Sequence, residues 1–259
     1  MQRPLAGMLV VDFTRYLPGA FATAELLRLG ARVVRVEQPG GDPMRATAPA
    51  WFDALNAGKE SVVCALPDEA DFARALLHRA DVALESFRPG VAERLGVGPA
   101  DVPGRTVYCS ITGFGLGGRH EQRAGHDLNY LGWAGLLEDT APALPPVQIA
   151  DLAGGALWSA TAILGALVGR HRTGKGAHLD ISMTEGALAL LTAELGNQAC
   201  GAHPTRGVEM LNGAAACYGV YRAKDGRYLA VGALEPKFWI ALNQGIGRPP
   251  DVSELLAAD

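Results

Sequence analysis

Short aliphatic and β-branched runs alternate with stretches of helical spacing through the first part of the chain. Leu9–Phe13, Arg32–Glu37, Ser61–Leu66, Asp81–Glu85 and Thr106–Thr112 read as strands. Between them, Ala20–Leu29 and Asp68–Ala80 carry apolar positions at helical spacing, the second opening on acidic residues that suit a helix N-terminus, and Val91–Leu95 reads as a short helix. Strands separated by helical segments predict βαβ units and a mainly parallel sheet, with ligands held outside the carboxyl ends of its strands.

Farther along, Asp151 to about Arg172 is a long, nearly all-apolar helical stretch closed by Thr173-Gly174-Lys175-Gly176. A helix apolar on most faces belongs inside a domain. His178–Met183 reads as a sixth strand and Glu185–Gln198 as another helix. The character changes near residue 216, where Tyr218–Ala223 and Tyr228–Gly232 flank Lys224-Asp225-Gly226-Arg227. An Asp-Gly between two strand-like runs is a hairpin signal. One helix, Pro236–Gln244, follows it.

Composition narrows the class. Apolar residues make up 49% and charged residues 19%, enough for a substantial core and unlike a disordered chain. A net charge of −4 without a basic stripe argues against a nucleic-acid partner, although local Arg and Lys still permit an anionic ligand. Cys64, Cys109, Cys200 and Cys217 are scattered, which fits reduced thiols rather than a disulfide framework or a metal site. The start, Met1-Gln2-Arg3-Pro4-Leu5, lacks the pattern of a signal peptide, and the closing Ala-Ala-Asp259 is no peroxisomal address. The longest apolar stretches, 152–168 and 186–195, are interrupted by Gly, Ser, Thr or Glu and read as buried helices rather than membrane spans. The expectation is a soluble cytoplasmic protein.

Several segments carry candidate chemistry. Gly113-Phe-Gly-Leu-Gly-Gly118 follows a strand, but its glycines are out of frame for a dinucleotide fingerprint and no acidic partner follows a second strand. It reads as a loop that lets backbone approach a ligand. His126 opens a helical pattern, as a structural histidine or as an acid/base group. Asp127 suits the first turn of that helix. Asp151 starts the long apolar helix, either as an N-cap or as a carboxylate beside free amides able to hold an oxyanion. Glu235-Pro236 opens the last helix, with Glu235 readable as a surface acid compatible with the helix dipole.

Taken together, these segments resemble one family. Ala124-Gly-His-Asp-Leu-Asn-Tyr130 is similar to the signature of the alpha-methylacyl-CoA racemases, within the class III CoA-transferase family. Asp151-Leu-Ala-Gly-Gly155, Arg172-Thr-Gly-Lys-Gly176, Val231-Gly-Ala-Leu-Glu-Pro236, Ala31-Arg-Val-Val-Arg-Val-Glu37, Phe87-Arg-Pro-Gly-Val91 and Ile111-Thr-Gly-Phe-Gly115 extend the likeness in order along the chain. The resemblance implies that His126 and Asp151 are paired acid/base residues and that Glu235 supports the histidine. It places Arg35, Lys59, Arg88, Asp127 and Tyr130 on the coenzyme A side, with Val63, Cys64, Ala65 and Leu66 along the adenine pocket. The chain departs from the pattern at Gln38, where members often carry arginine.

The expected α/β architecture is a Rossmann-like, mainly parallel large domain over residues 1–184, a helical linker over 185–215 and an incomplete small α+β domain over 216–259. The implied reaction is racemisation of the alpha carbon of a 2-methylacyl-CoA, with coenzyme A entering only as part of the substrate and with no metal or other cofactor. The partner that the resemblance implies is a second copy in an interlocked homodimer; no membrane is implied. Two other readings stay open: CoA transfer with Asp151 as nucleophile, and a non-catalytic CoA-binding form, because members normally continue well beyond residue 259.

Overall fold

The computed structural model describes residues 3–140, 144–201 and 210–248. Six strands form one parallel sheet: β1 (Leu9–Asp12), β2 (Arg32–Glu37), β3 (Glu60–Val63), β4 (Val82–Glu85), β5 (Val107–Thr112) and β6 (His178–Ser182), in the order β3-β2-β1-β4-β5-β6. Val11 of β1 lies opposite Val34 of β2 on one side and Ala83 of β4 on the other. The chain winds outward from β1 to β3, returns to place β4 beside β1, and then winds the opposite way. The switch in direction therefore falls between β1 and β4, where α/β sheets hold their ligands.

Strands β4 and β5 are buried along their whole length, and β2 is buried except for Arg32. Coverage on both faces explains why these segments read as continuous apolar runs rather than as alternating ones. The covering helices are α1 (Tyr16–Arg28), α2 (Met44–Thr47), α3 (Pro49–Asn56), α4 (Ala70–Leu77) and α5 (Val91–Arg94). Leu26 of α1 and Leu77 of α4 are fully buried, and truncating either to alanine is expected to cost about 2–5 kcal/mol.

Between β5 and β6 come α6 (Asp127–Ala134), α7 (Leu136–Thr140), a π-helical segment (Ala150–Leu157) and α8 (Trp158–Thr173), which continues it. The Trp158 amide bonds to the Ala153 carbonyl, five residues back, which marks the wider turn. Gly174, at φ 71°, ends α8, and Arg170, His171 and Arg172 in its last turn complement the helix dipole. The run Ala150–Thr173 is long and apolar enough by composition to cross a membrane. It packs on α1, β5 and β6 through buried residues that include Ile163 and Leu167, while Leu157, Trp158 and Val168 stay exposed. Burial is thus confined to one side, where the sequence suggested burial on most faces.

The helix expected over Glu185–Gln198 breaks in two. The segments are α9 (Met183–Ala189) and α10 (Thr192–Ala199), and the last helix is α11 (Pro236–Gly245). Helix α9 crosses the π-helical segment almost backbone to backbone. A Cβ on Gly186 would lie 2.2 Å from the Gly154 carbonyl oxygen, and one on Gly154 would lie 2.6 Å from the Met183 carbonyl oxygen.

The described residues fall into two compact units, one holding 3–136 with Pro145–Leu190 and the other holding 137–140, Leu144 and the residues from Leu191 onward. In the second unit, β7 (Tyr218–Arg222) and β8 (Tyr228–Gly232) pair antiparallel around the Asp225-Gly226 turn. Ala215, Cys217, Ala233 and Trp239 form its small buried cluster. The expected small domain runs past residue 248, and residues 249–259 lie outside the described residues, as do 202–209 of the expected linker.

Candidate active site

A cavity of about 560 Å³ opens at the carboxyl ends of β1, β4 and β5, with His126, Asp151, Tyr130, Arg88 and Arg123 among its lining residues. His126 is the residue before α6, in extended backbone. Its amide donates to Asn129 Oδ1 at 3.0 Å, and its carbonyl accepts from the Asn129 amide at 2.8 Å. The cap is therefore built from Asn129 and the His126 backbone. The exposed imidazole makes no hydrogen bond or ion pair with any described residue and is left for the cavity.

Asp151 sits in the first turn of the π-helical segment. Burial, reinforced by the neighbouring Asp127 carboxylate, pushes its carboxyl up to about 7. A carboxyl at that level exchanges its proton readily near neutral pH, as a general acid or base must. Asp127 accepts the Asp151 amide on Oδ1 at 2.9 Å. Its own carboxyl is raised by burial against the opposing pull of the Asp151 and Ala150 amides. This corrects the expectation of free amides beside Asp151, because Asp127 takes them. Asp127 acts as a cap linking α6 to the π-helical segment, and it is not among the residues that line the cavity.

Tyr130 is buried and donates to the Gly125 carbonyl at 2.6 Å, and burial raises its phenol to about 12. Its ring explains two glycines. A Cβ on Gly113 or on Gly125 would come within 2.5 Å or 2.7 Å of Tyr130 Cε1. Arg88 is exposed at the cavity wall, and its guanidinium makes no hydrogen bond or ion pair with a described residue.

A second cavity, of about 400 Å³, is lined by Arg35, Gln38, Cys64 and Leu66 among others. Strand β3 ends at Val63, so the strand expected through Leu66 stops three residues early. Val63 is exposed and Ala65 gives its amide to Glu69 Oε2 at 2.6 Å; neither lines this cavity. Arg35 is committed to the interior. Its guanidinium reaches Asp42 at 2.6 Å, Asp12 at 3.4 Å and Asn56 Oδ1 at 2.9 Å, with both carboxylates buried. Lys59 lines neither cavity. Its ammonium donates to the Ala20 carbonyl, Thr23 Oγ1 and Asn56 Oδ1 at 2.7–2.9 Å, and burial lowers it to about 8. With three donors used inside the protein, Lys59 ties α1 to α3 and holds none for a phosphate. Glu235 belongs to the second unit, where it precedes α11 in extended backbone.

The family model described as CoA-transferase family III matches residues 5–258. The chain belongs to that family. It is 40% identical over 260 residues to the human alpha-methylacyl-CoA racemase, covering 95% of this chain and 66% of the relative. It is 34% identical over 249 residues to the succinyl-CoA:glutarate CoA-transferase of Mus musculus, covering 89% of this chain and 57% of that protein. The chain thus spans two thirds or less of the length of these relatives. A solved CAIB/BAIF family protein from Brucella suis superposes with a TM-score of 0.83 at 31% identity, covering 95% of this chain and 70% of that one.

Reading the residues of this CoA-transferase family III chain one by one misses two arginines that line the His126–Asp151 cavity. Arg123 stacks over Trp133 at 5.1 Å. Arg15 lies over Phe87 at 5.5 Å. Arg15 has a readable signal, since it follows the first strand of a βαβ pattern, where ligands gather. Arg123 precedes the Gly125-His126 segment with no pattern to distinguish it from a surface charge.

Proposed function

We propose that this chain inverts the alpha carbon of a 2-methylacyl-CoA by moving a proton across the two faces of an enolate. The observation that carries the reading is that His126, with an uncommitted imidazole, and Asp151, with a carboxyl near 7, line one cavity at the sheet's carboxyl edge. One group removes the alpha proton and the other returns a proton to the opposite face; their parts exchange for the other enantiomer. The route as written uses no metal or redox cofactor, and the coenzyme A belongs to the substrate.

A second reading has a specific support: CoA-transferases are among the relatives, and an aspartate can attack a thioester to form a mixed anhydride. The two separate by experiment. With one enantiomer of a 2-methylacyl-CoA in deuterated water, racemisation incorporates deuterium at the alpha carbon and leaves the thioester intact. Adding a free acid yields a new acyl-CoA under transfer. Formation of that product without alpha exchange would overturn the racemase reading.

A further inference from the structure

The two cavities meet at one place. Arg15 and Phe87 line both of them. Arg15 follows β1 and Phe87 follows β4, so the pair straddles the point between these strands where the sheet reverses its winding. The Arg15 backbone is clamped there from both sides: its amide donates to Ser86 Oγ at 3.0 Å, and its carbonyl accepts from Ser86 Oγ at 3.3 Å. The next residue, Tyr16, has φ 63° and is the non-glycine residue with left-handed backbone among those described. That conformation costs about 1–3 kcal/mol and persists only where its surroundings impose it. The strained turn and the Ser86 clamp fix where the Arg15 side chain starts. The guanidinium rests on the Phe87 ring and makes no hydrogen bond or ion pair with a described residue. Its donors stay available at the junction, whereas both terminal nitrogens of the buried Arg35 are held by Asp12, Asp42, Asn56 and the Thr14 carbonyl.

We infer that Arg15, braced on Phe87, is a specificity-determining residue that grips the diphosphate of a coenzyme A thioester where it crosses from one cavity to the other. The inference rests on the acyl-CoA reading above. A ligand that occupies both cavities must pass this pair, and in such a thioester the diphosphate is the anionic link between the nucleotide and the pantetheine arm. Arginine suits that link because its planar fork pairs with phosphate oxygens while its face stacks on an aromatic ring.

The test compares binding of CoA, ADP and pantetheine to the whole chain by titration calorimetry, for the wild type, Arg15→Ala and Arg15→Lys, with circular dichroism confirming the fold. Arg15→Ala is expected to weaken CoA and ADP by roughly 10- to 100-fold, as for one charge-assisted hydrogen-bonding group, and to shrink the ratio of CoA to pantetheine affinity by the same factor. Arg15→Lys should recover part of the loss. An unaltered ratio in Arg15→Ala, or equal weakening of CoA and pantetheine, would overturn the role given to Arg15. A wild type that binds neither CoA nor ADP would instead sink the acyl-CoA reading itself, so the two failures are distinguishable.

Discussion

Glu37 and Glu85 are both buried glutamates at the last position of a central parallel strand, β2 and β4, yet they hold their protons very differently. Two hydrogen bonds from Arg45, at 2.8 Å each, together with Ser61 and the Asp42 amide, hold Glu37 down at about 2. Glu85 receives the Phe87 amide at 2.7 Å but no guanidinium, and burial pushes it up to about 7. The same contrast separates the two halves of the sheet. On the β1–β2 side, Asp12 and Asp42 share Arg35. On the other, Asp151 is buried beside a second carboxylate, Asp127, and also rises to about 7. Burial alone makes a carboxyl reluctant to ionise; a paired guanidinium reverses that. Among these carboxylates, those on the β1–β2 side are paired with guanidinium groups, whereas Glu85 and Asp151 stay able to take and release protons.

The largest effect expected from this contrast is on chemistry. Asp151→Asn and His126→Ala should each lower alpha-proton racemisation by about 10²–10⁴-fold, read by loss of optical rotation of a 2-methylacyl-CoA. Near-wild-type rates in both would break the claim that the unpaired half is the working one. Next comes the paired half. Arg35→Met leaves Asp12 and Asp42 buried without their cation and should cost about 3–5 kcal/mol in urea denaturation, because a stranded buried charge is worse than no pair.

The third expectation concerns pH. The folded chain holds the Glu85 proton above the ordinary glutamate range, so that contribution to stability is complete below about 4.3 and is lost as pH rises through about 7. Glu85→Gln should match the wild type near pH 4 and exceed it above pH 7, by on the order of 1–3 kcal/mol. Glu37 has the opposite sign: its stabilisation is present above the ordinary glutamate range and is lost as pH falls toward about 2. Denaturation midpoints across pH 3–9 would check both. The smallest effect is expected at Arg32 and Glu60, an exposed pair at 2.6 Å on the same edge of the sheet, where Glu60→Ala should leave the midpoint within error.

Much of the fold was legible because its strands are buried on both faces, which makes each one a compact apolar run between polar segments. Helices α2 and α3 escaped reading. They are short, Pro43 and Pro49 punctuate them, and Trp51 lies exposed, so no apolar stripe forms. The break between α9 and α10 was equally hidden, since Leu190 and Leu191 continue the apolar pattern across it. Within the site, His126 and Asp151 were found through the motif they resemble, and the cavity groups them. The roles of Arg35 and Lys59 depended on partners distant in sequence: Arg35 needs Asp12 and Asp42, and Lys59 needs Ala20 and Thr23. A local pattern of charges cannot say whether such partners will meet it.

The π-helical segment that begins at Ala150 has a consequence for sequence length. A wider turn accommodates one residue more than an α-helix of the same rise, and here that surplus lies between Asp151 and the start of α8. Deleting one residue from Leu152–Leu157 would restore ordinary α-helical winding with Asp151 still facing nearly the same way, whereas rewinding the segment as an α-helix with no residue removed would swing Asp151 by about 100° relative to Trp158. The cavity would then face Ala150 or Leu152 instead of a carboxylate, while α8 kept its place on the sheet. The register of the helix, as well as the identity of the residue, sets where the proton-carrying group points.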